Sequence, residues 1–325
     1  MKNKFNAFMM LVVRLWLTTS AIGYVLFAVL FASCQSQLKN KVNDTPTSGC
    51  IHFACEESHR LIIETELAVF HAIYQNAQLL PHYYDEETLF KQLYSDSMKL
   101  GVASRMLNNK EIAFFNQKKI FPHQVKIASD AIAVLLHNEN VDTLFTVKEL
   151  AGVFKGTINQ WQQLRSHGSR DSIEIVVESA HSGIIRYIID SVALTKKTSA
   201  KFHFAASELE VIKYVSNNRN SLGLVGVGWI SDRDDSTCLS FDKSIRVATI
   251  AANENSRGYK PFQAFIATQQ YPLCRSIYLI STDPHLGLAA GFQSFVASDK
   301  GQRIILKSGL VPAIAPIRLI QVRNE

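Results

Sequence analysis

The chain alternates short apolar runs with segments whose apolar residues recur every three or four positions. Apolar runs at 50–54, 78–84 and 100–103 predict strands, and the spacing of apolar residues over 61–73 and 89–94 predicts helices between them. This alternation of strands and amphipathic helices is typical of an α/β fold, and it predicts parallel strand pairing.

The same alternation continues through the middle of the chain. Residues 130–136 and 172–178 are apolar enough for strands buried on both faces, and the first of them is a candidate crossing between two lobes. Thr146, followed three residues later by Glu149, predicts a capped helix start. The glycine-dense run at 222–228 predicts a strand that another backbone or a ligand can approach closely.

The first 33 residues read as a targeting segment. A short basic stretch leads into an uncharged apolar run that ends Ala32-Ser33-Cys34, with small residues before a cysteine. This ending resembles the bacterial lipobox and predicts a signal peptide over 1–33, with a lipidated Cys34 and a polar tether over 34–49. An uncleaved transmembrane anchor is the alternative, because the apolar run is about long enough to span a bilayer. Both interpretations place the folded part outside the cytoplasm.

Charge and cysteine content exclude several classes of protein. The net charge is +6, and three of the positive charges lie in the targeting segment, which leaves about +3 and does not predict a nucleic-acid partner. The five cysteines include no C-x-x-C pair and no zinc-like spacing with histidine, so we expect neither a metal site nor a cofactor. Disulfides are possible outside the cytoplasm, and their pairing stays open.

Four ordered motifs carry a resemblance to a known family. Residues 144–161 read LFTVKELAGVFKGTINQW, which resembles the helix-and-turn signature LT-x-x-EL-x-x-IF-x-G-x-I-x-x-W of the phosphate-binding family of periplasmic substrate-binding proteins. Three further stretches, at 223–229, 271–278 and 295–312, are similar to that family in the same order.

The resemblance implies a fold and a function. The fold is the α/β periplasmic-binding-protein type II fold, with two lobes joined by hinge strands: lobe 1 over 50–130 and 247–325, and lobe 2 over 131–246. The implied function is capture of phosphate or a related oxyanion in the interlobe cleft for delivery to an ABC permease, by a monomeric, membrane-anchored lipoprotein on the periplasmic side. No catalytic motif supports an enzyme. A ligand sensor and a surface scaffold with a different or lost ligand are the alternatives.

The resemblance also indicates ligand groups in three strand-to-helix loops. Hydroxyls, backbone N–H groups and arginines supply the donors that an oxyanion needs. Ser58 is a candidate, although it could be a plain helix cap. Arg105 stands where the family places an aspartate, and Glu178 replaces a family arginine. The complete set of ligand candidates is Ser58, Ser104, Arg105, Ser182, Gly183 and Arg186.

These departures predict a rebuilt anion site centred on Arg105 and Arg186, although Arg186 could equally be a surface residue of an amphipathic helix. The loop at 85–88 adds three carboxylates that could orient the two arginines. An unpaired carboxylate beside a bound anion would instead weaken binding by repulsion.

Overall fold

The computed structural model describes residues 44–164, 170–195, 197–231 and 243–314. The predicted signal peptide, Cys34 and Cys238 lie outside these ranges. Within them, no helix combines the length and apolar character needed to cross a membrane. Cys50, Cys55 and Cys274 are free thiols.

The first half of the described chain follows the predicted alternation closely. Its elements are β1 (Gly49–Glu56), α1 (Arg60–Ile73), β2 (Ala77–Tyr84), α2 (Glu86–Tyr94), β3 (Leu100–Ala103), α3 (Asn109–Gln117) and β4 (His123–Leu136). A single 3-10 turn, Glu57–His59, joins β1 to α1.

The second half contains shorter elements. They are β5 (Leu144–Thr146), α4 (Val147–Lys155), β6 (Glu174–Val177), α5 (Gly183–Tyr187), β7 (Lys201–Phe204), α6 (Glu208–Asn217), β8 (Ser221–Gly226), β9 (Arg246–Val247), β10 (Thr249–Ala251), α7 (Gln263–Ala267), β11 (Cys274–Ser281), α8 (Leu288–Ala297), α9 (Asp299–Lys307) and β12 (Val311–Pro312). The predicted capping box opens α4: Thr146 Oγ1 accepts the Glu149 N–H at 3.2 Å, and Glu149 Oε2 accepts the Thr146 N–H at 2.7 Å.

Ten strands form one sheet with the path β2-β1-β3-β11-β4-β8-β6-β7, and β9 and β12 also pair with β4. The prediction of parallel pairing holds for β1 with β2 and β3, and for β6 with β7 and β8. It is wrong at the centre, where β11 and β4 run antiparallel to their neighbours. The chain reaches these strands from distant parts of the sequence, which a local strand–helix alternation cannot reveal.

β4 lies in the middle of this sheet and joins its two parts. Its first part, up to Ala131, pairs with β11, and its second part, from Ile132, pairs with β8. Every residue of β4 from Asp130 to Leu136 is buried, as the apolar run predicts. β4 therefore brings residues from β11 and β8 next to each other where its two pairings meet. The lobe boundaries given above stay a prediction.

Residues 44–48, part of the predicted tether, lie on the folded unit. Thr45 and Ser48 close a turn by backbone hydrogen bonds, and Asp44 Oδ1 accepts the Leu288 N–H at the start of α8 at 2.7 Å. The first strand then begins at Gly49.

Candidate functional site

A buried carboxylate marks the end of β1. Glu56 is fully buried, and its Oε2 accepts the Ser104 backbone N–H at 2.9 Å and the Ser104 hydroxyl at 2.7 Å. Its Oε1 accepts the Ser58 hydroxyl at 3.2 Å, and Arg275 Nη1 lies 3.6 Å away. We call Ser58, Ser104 and Arg275 the donor shell. Hydroxyl, amide and guanidinium groups of this kind are the usual ligands of an oxyanion.

The surroundings of Glu56 keep it ionised. Burial acts to raise its pKa, but His59, Arg275 and the hydrogen bonds from Ser104 together hold the pKa below its usual value. Burial lowers the pKa of His59 to about 4, so its ring is neutral at pH 7. The His59 Nε2 atom lies 3.0 Å from the Ser104 hydroxyl oxygen. Because that hydroxyl gives its hydrogen to Glu56, His59 donates here.

Arg275 belongs to β11 and forms a buried ion pair with β4. Its Nε and Nη2 atoms each lie 2.9 Å from Asp130 Oδ2, and both side chains are buried. Asp130 Oδ1 accepts the Val227 N–H at 3.2 Å. Neither Nη1 nor Nη2 of Arg275 makes a well-formed hydrogen bond with any described residue. The guanidinium therefore has an N–H donor beside Glu56 that is still available to an acceptor.

A second carboxylate, Glu86 at the start of α2, lies between the two arginines predicted from sequence. Its Oε1 accepts a hydrogen bond from Arg186 Nε at 2.6 Å and another from Arg105 Nε at 3.3 Å. Arg105 also donates to both carboxylate oxygens of Glu111, at 2.8 and 3.0 Å, and its guanidinium lies over the Phe90 ring. Of the three loop carboxylates, Glu86 therefore contacts both arginines, whereas Asp85 caps α2 and Glu87 pairs with Lys91 and His181.

Ser182 and Gly183 lie against this region from the start of α5. The Ser182 hydroxyl accepts the Ile185 N–H at 3.3 Å and so caps the helix. Any Cβ at position 183 would clash with Glu56 Oε1 and lie 2.8 Å from Glu86 Oε2. Only glycine leaves room here for the two carboxylates, which explains its presence at this position.

Three more buried carboxyl groups have raised pKa values. Burial, and then the charge of Glu56, raises the pKa of Glu178 to about 8 and shifts that of Glu86 upward. Burial and the neighbouring Glu178 raise the pKa of Glu208 well above its usual range. These shifts favour the protonated forms of Glu178 and Glu208, and a protonated carboxyl can donate a hydrogen bond instead of repelling an anion.

A family model for the PBP superfamily domain matches residues 40–300, which is most of the chain. The chain belongs to the PBP superfamily. Among curated proteins, this PBP superfamily member is 23% identical over 261 residues to the phosphate-binding protein PstS of Pseudomonas aeruginosa, covering 75% of this chain and 77% of that protein.

Solved structures share the fold of this PBP superfamily member. A protein from Clostridium perfringens, described as a phosphate ABC transporter substrate-binding protein with bound phosphate, matches with a TM-score of 0.68 at 18% identity, over 82% of this chain and all of that one. An ABC-type phosphate transport receptor from Vibrio cholerae matches with a TM-score of 0.60 at 19% identity, over 80% of this chain and 99% of that one. The prediction of an α/β fold of the periplasmic-binding-protein type II class is confirmed.

The structure brings the predicted site residues of this PBP superfamily member into one neighbourhood. Ser58, Ser104 and Gly183 are buried against Glu56, and Ser182 is buried beside Gly183 in the chain. Arg105 and Arg186 are partly exposed and contact Glu86. Ser58 is not a helix cap, since it lies inside the 3-10 turn and its hydroxyl donates to Glu56. Their role as ligand groups stays a prediction.

Sequence reasoning missed Glu56, Arg275 and Asp130. A signal for two of them was present, because Asp130 directly precedes the apolar run 131–136 of β4 and Arg275 is separated by one residue from the apolar run 277–280 of β11. A buried charge needs a partner, so such residues are candidates for a buried pair.

Two tryptophans of the family-like stretches and the histidine next to Ser182 have ordinary surroundings. Trp161 is a core residue, Trp229 donates its indole N–H to the Ser58 carbonyl at 3.1 Å, and His181 is an exposed loop residue 2.6 Å from Glu87. In the described ranges, no group of three or more His, Cys, Asp or Glu side chains is arranged to hold a metal ion.

Proposed function

We propose that this PBP superfamily member is an extracytoplasmic solute-binding protein that captures phosphate or a related oxyanion and delivers it to an ABC importer. The named relatives are phosphate-binding and phosphate-transport proteins, which supports a role in binding over one in catalysis.

The donor shell is the observation that carries this proposal. Ser58, Ser104 and Arg275 are each at least nine-tenths buried, and they direct two hydroxyls, a backbone N–H and a guanidinium at one carboxylate. Desolvated donors of this kind bind negative oxygen far more strongly than exposed ones do. Phosphate presents the same type of oxygen as the carboxylate of Glu56.

Around this shell we assign the remaining ligand groups by their position. Gly183 lies against Glu56 at the start of α5 with Ser182 next to it in the chain, and Arg105 and Arg186 flank Glu86 at the partly exposed side. In the two-lobe interpretation, Ser58 and Ser104 belong to lobe 1 and Ser182 to lobe 2. An anion bound between the two lobes would favour their closed arrangement, because it binds that arrangement with higher affinity.

A lipid anchor is the second part of the proposal. The Ala32-Ser33-Cys34 ending supports cleavage before Cys34 and its lipidation, which would hold a monomeric receptor beside its membrane permease. Substituting Cys34→Ala in the full chain tests this part. Mass spectrometry should show the wild-type chain shortened by residues 1–33 and carrying lipid, and the variant at full length without lipid; a wild-type chain without lipid would contradict lipid anchoring.

The binding function is tested by calorimetric titration of the purified protein with inorganic phosphate and then with sulfate. Before the titration, bound anion is removed by unfolding and refolding the protein in phosphate-free buffer. Saturable heat with phosphate at one site supports the proposal. No heat with either anion, from protein that is folded by circular dichroism, would refute it.

A further inference from the structure

The donor shell already holds a negative group that belongs to the chain itself. The Glu56 carboxylate takes three hydrogen bonds from Ser58 and Ser104 and lies within ion-pair distance of Arg275. It is 0% exposed, so water does not compete for these donors. A side chain therefore occupies the place where an external oxyanion would find the same donors.

The shell has more donors than Glu56 uses. Nη2 of Arg275 faces Asp130 in the buried ion pair, but Nη1 is buried 3.6 Å from Glu56 Oε1 and donates no well-formed hydrogen bond to any described residue. Unused buried donors cost stability unless something accepts from them. A tetrahedral oxyanion has more acceptor oxygens than a carboxylate and can use them.

An oxyanion cannot join the shell while Glu56 stays in place. Glu56 Oε1 lies against Gly183, and Glu86 Oε2 lies on the same glycine. A dianion added here would meet the charged Glu56 carboxylate directly, and like charges at such distances in a buried site repel each other strongly.

We propose that Glu56 is an internal competitor for the oxyanion site, so that phosphate binds by displacing the Glu56 carboxylate from Ser58, Ser104 and Arg275. Glu56 is then a specificity- and affinity-determining residue that lowers the affinity for free phosphate. It accepts hydrogen bonds from Ser58 and Ser104 until an external oxyanion takes its place. This inference rests on the proposed function.

Two variants test it by calorimetric titration with inorganic phosphate. Glu56→Ala empties the shell, and we expect it to bind phosphate at least tenfold more tightly than the wild type. Glu56→Gln removes the charge but keeps the side chain, and we expect a smaller gain. The matched control is Glu57→Gln, because Glu57 is the adjacent carboxylate but pairs with Arg60 outside the shell, with the two side chains 2.6 Å apart. It should leave the affinity unchanged.

The outcomes separate this inference from the proposed function. If the wild type binds phosphate and both Glu56 variants bind it with the same or lower affinity, the competitor role is overturned and phosphate capture stands. Binding that appears only in Glu56→Ala supports the competitor role and refutes phosphate capture by the natural chain. No binding in any folded variant refutes both. The fold of each variant is checked by circular dichroism and thermal unfolding, and Glu56→Gln serves if Glu56→Ala does not fold.

Discussion

Arg275 and Asp130 lie directly opposite each other on the adjacent antiparallel strands β11 and β4, and the Arg275 Nε atom is 2.9 Å from Asp130 Oδ2. Side chains in this relation on one face of a sheet are in direct contact. The pair fixes the guanidinium beside Glu56 and joins β4, which pairs first with β11 and then with β8, to the strand that carries the arginine.

Removing the arginine should destabilise the fold strongly. Arg275→Leu leaves Asp130 and Glu56 buried without their cation, and breaking a buried pair in this way costs about 3–5 kcal/mol. Urea unfolding measures the change. The control is Arg303→Leu, which breaks the exposed pair with Asp299 on α9 and should cost less than about 1 kcal/mol. Equal effects from the two substitutions would contradict the importance of the buried pair.

Glu66 on α1 should make stability depend on pH. Burial raises its pKa to about 9, and neither of its oxygens has a hydrogen-bond partner among the described residues. Between the ordinary pKa of 4.5 and about 9 the folded state holds a proton that the unfolded state releases. This group therefore lowers the stability as pH rises, by up to about 1.4 kcal/mol per pH unit.

The substitution Glu66→Gln isolates this effect. Thermal unfolding should show that the stability of the variant relative to the wild type increases from about pH 5 to about pH 8, because glutamine cannot ionise. Glu64→Gln changes an exposed carboxylate on the same helix and serves as the control. The assignment fails if the difference between Glu66→Gln and the wild type is the same at both pH values.

The capping box of α4 gives a local stability prediction. Thr146→Ala removes the acceptor for the Glu149 N–H and should cost about 0.5–2 kcal/mol in urea unfolding. Thr65→Ala, at an exposed position inside α1, should be neutral or slightly stabilising, because alanine is the better helix former. A loss at Thr65 as large as that at Thr146 would show that the cap is not the cause.

Arg105 is tested by the effect of its loss on phosphate affinity. If Arg105 contributes to the oxyanion site, Arg105→Ala should weaken phosphate binding by about tenfold or more. A tenfold loss of affinity corresponds to about 1.4 kcal/mol of binding free energy. Arg60→Ala is a close control, because Arg60 also pairs with a glutamate and lies over an aromatic ring, that of Tyr83. Unchanged affinity in Arg105→Ala would remove Arg105 from the site.

The sequence was sufficient for the features that depend on near neighbours along the chain. The capping box at Thr146, the helix α1 and the buried run of β4 follow from residue spacing and appear as predicted. The antiparallel placement of β11 could not be predicted in this way. It brings residues more than a hundred positions apart together, and no local pattern encodes such a pairing.

The residues around Glu56 were partly predicted from the sequence, but Glu56 itself was not. The family-like loops contain Ser58, Ser104 and Gly183, which all lie against Glu56, and their role as ligand groups stays a prediction. Glu56 was overlooked because a glutamate at a strand end is usually exposed, and only the tertiary structure surrounds it with donors. Arg275 was overlooked because its partner Asp130 lies on a different strand.

The most direct test of this account is a crystal structure of the protein grown with saturating phosphate. We predict a phosphate within hydrogen-bonding distance of the Ser58 hydroxyl, the Ser104 N–H and the Arg275 guanidinium, with the Glu56 carboxylate moved out of the donor shell. A structure in which Glu56 keeps its hydrogen bonds to Ser104, with phosphate bound elsewhere or not at all, would contradict it.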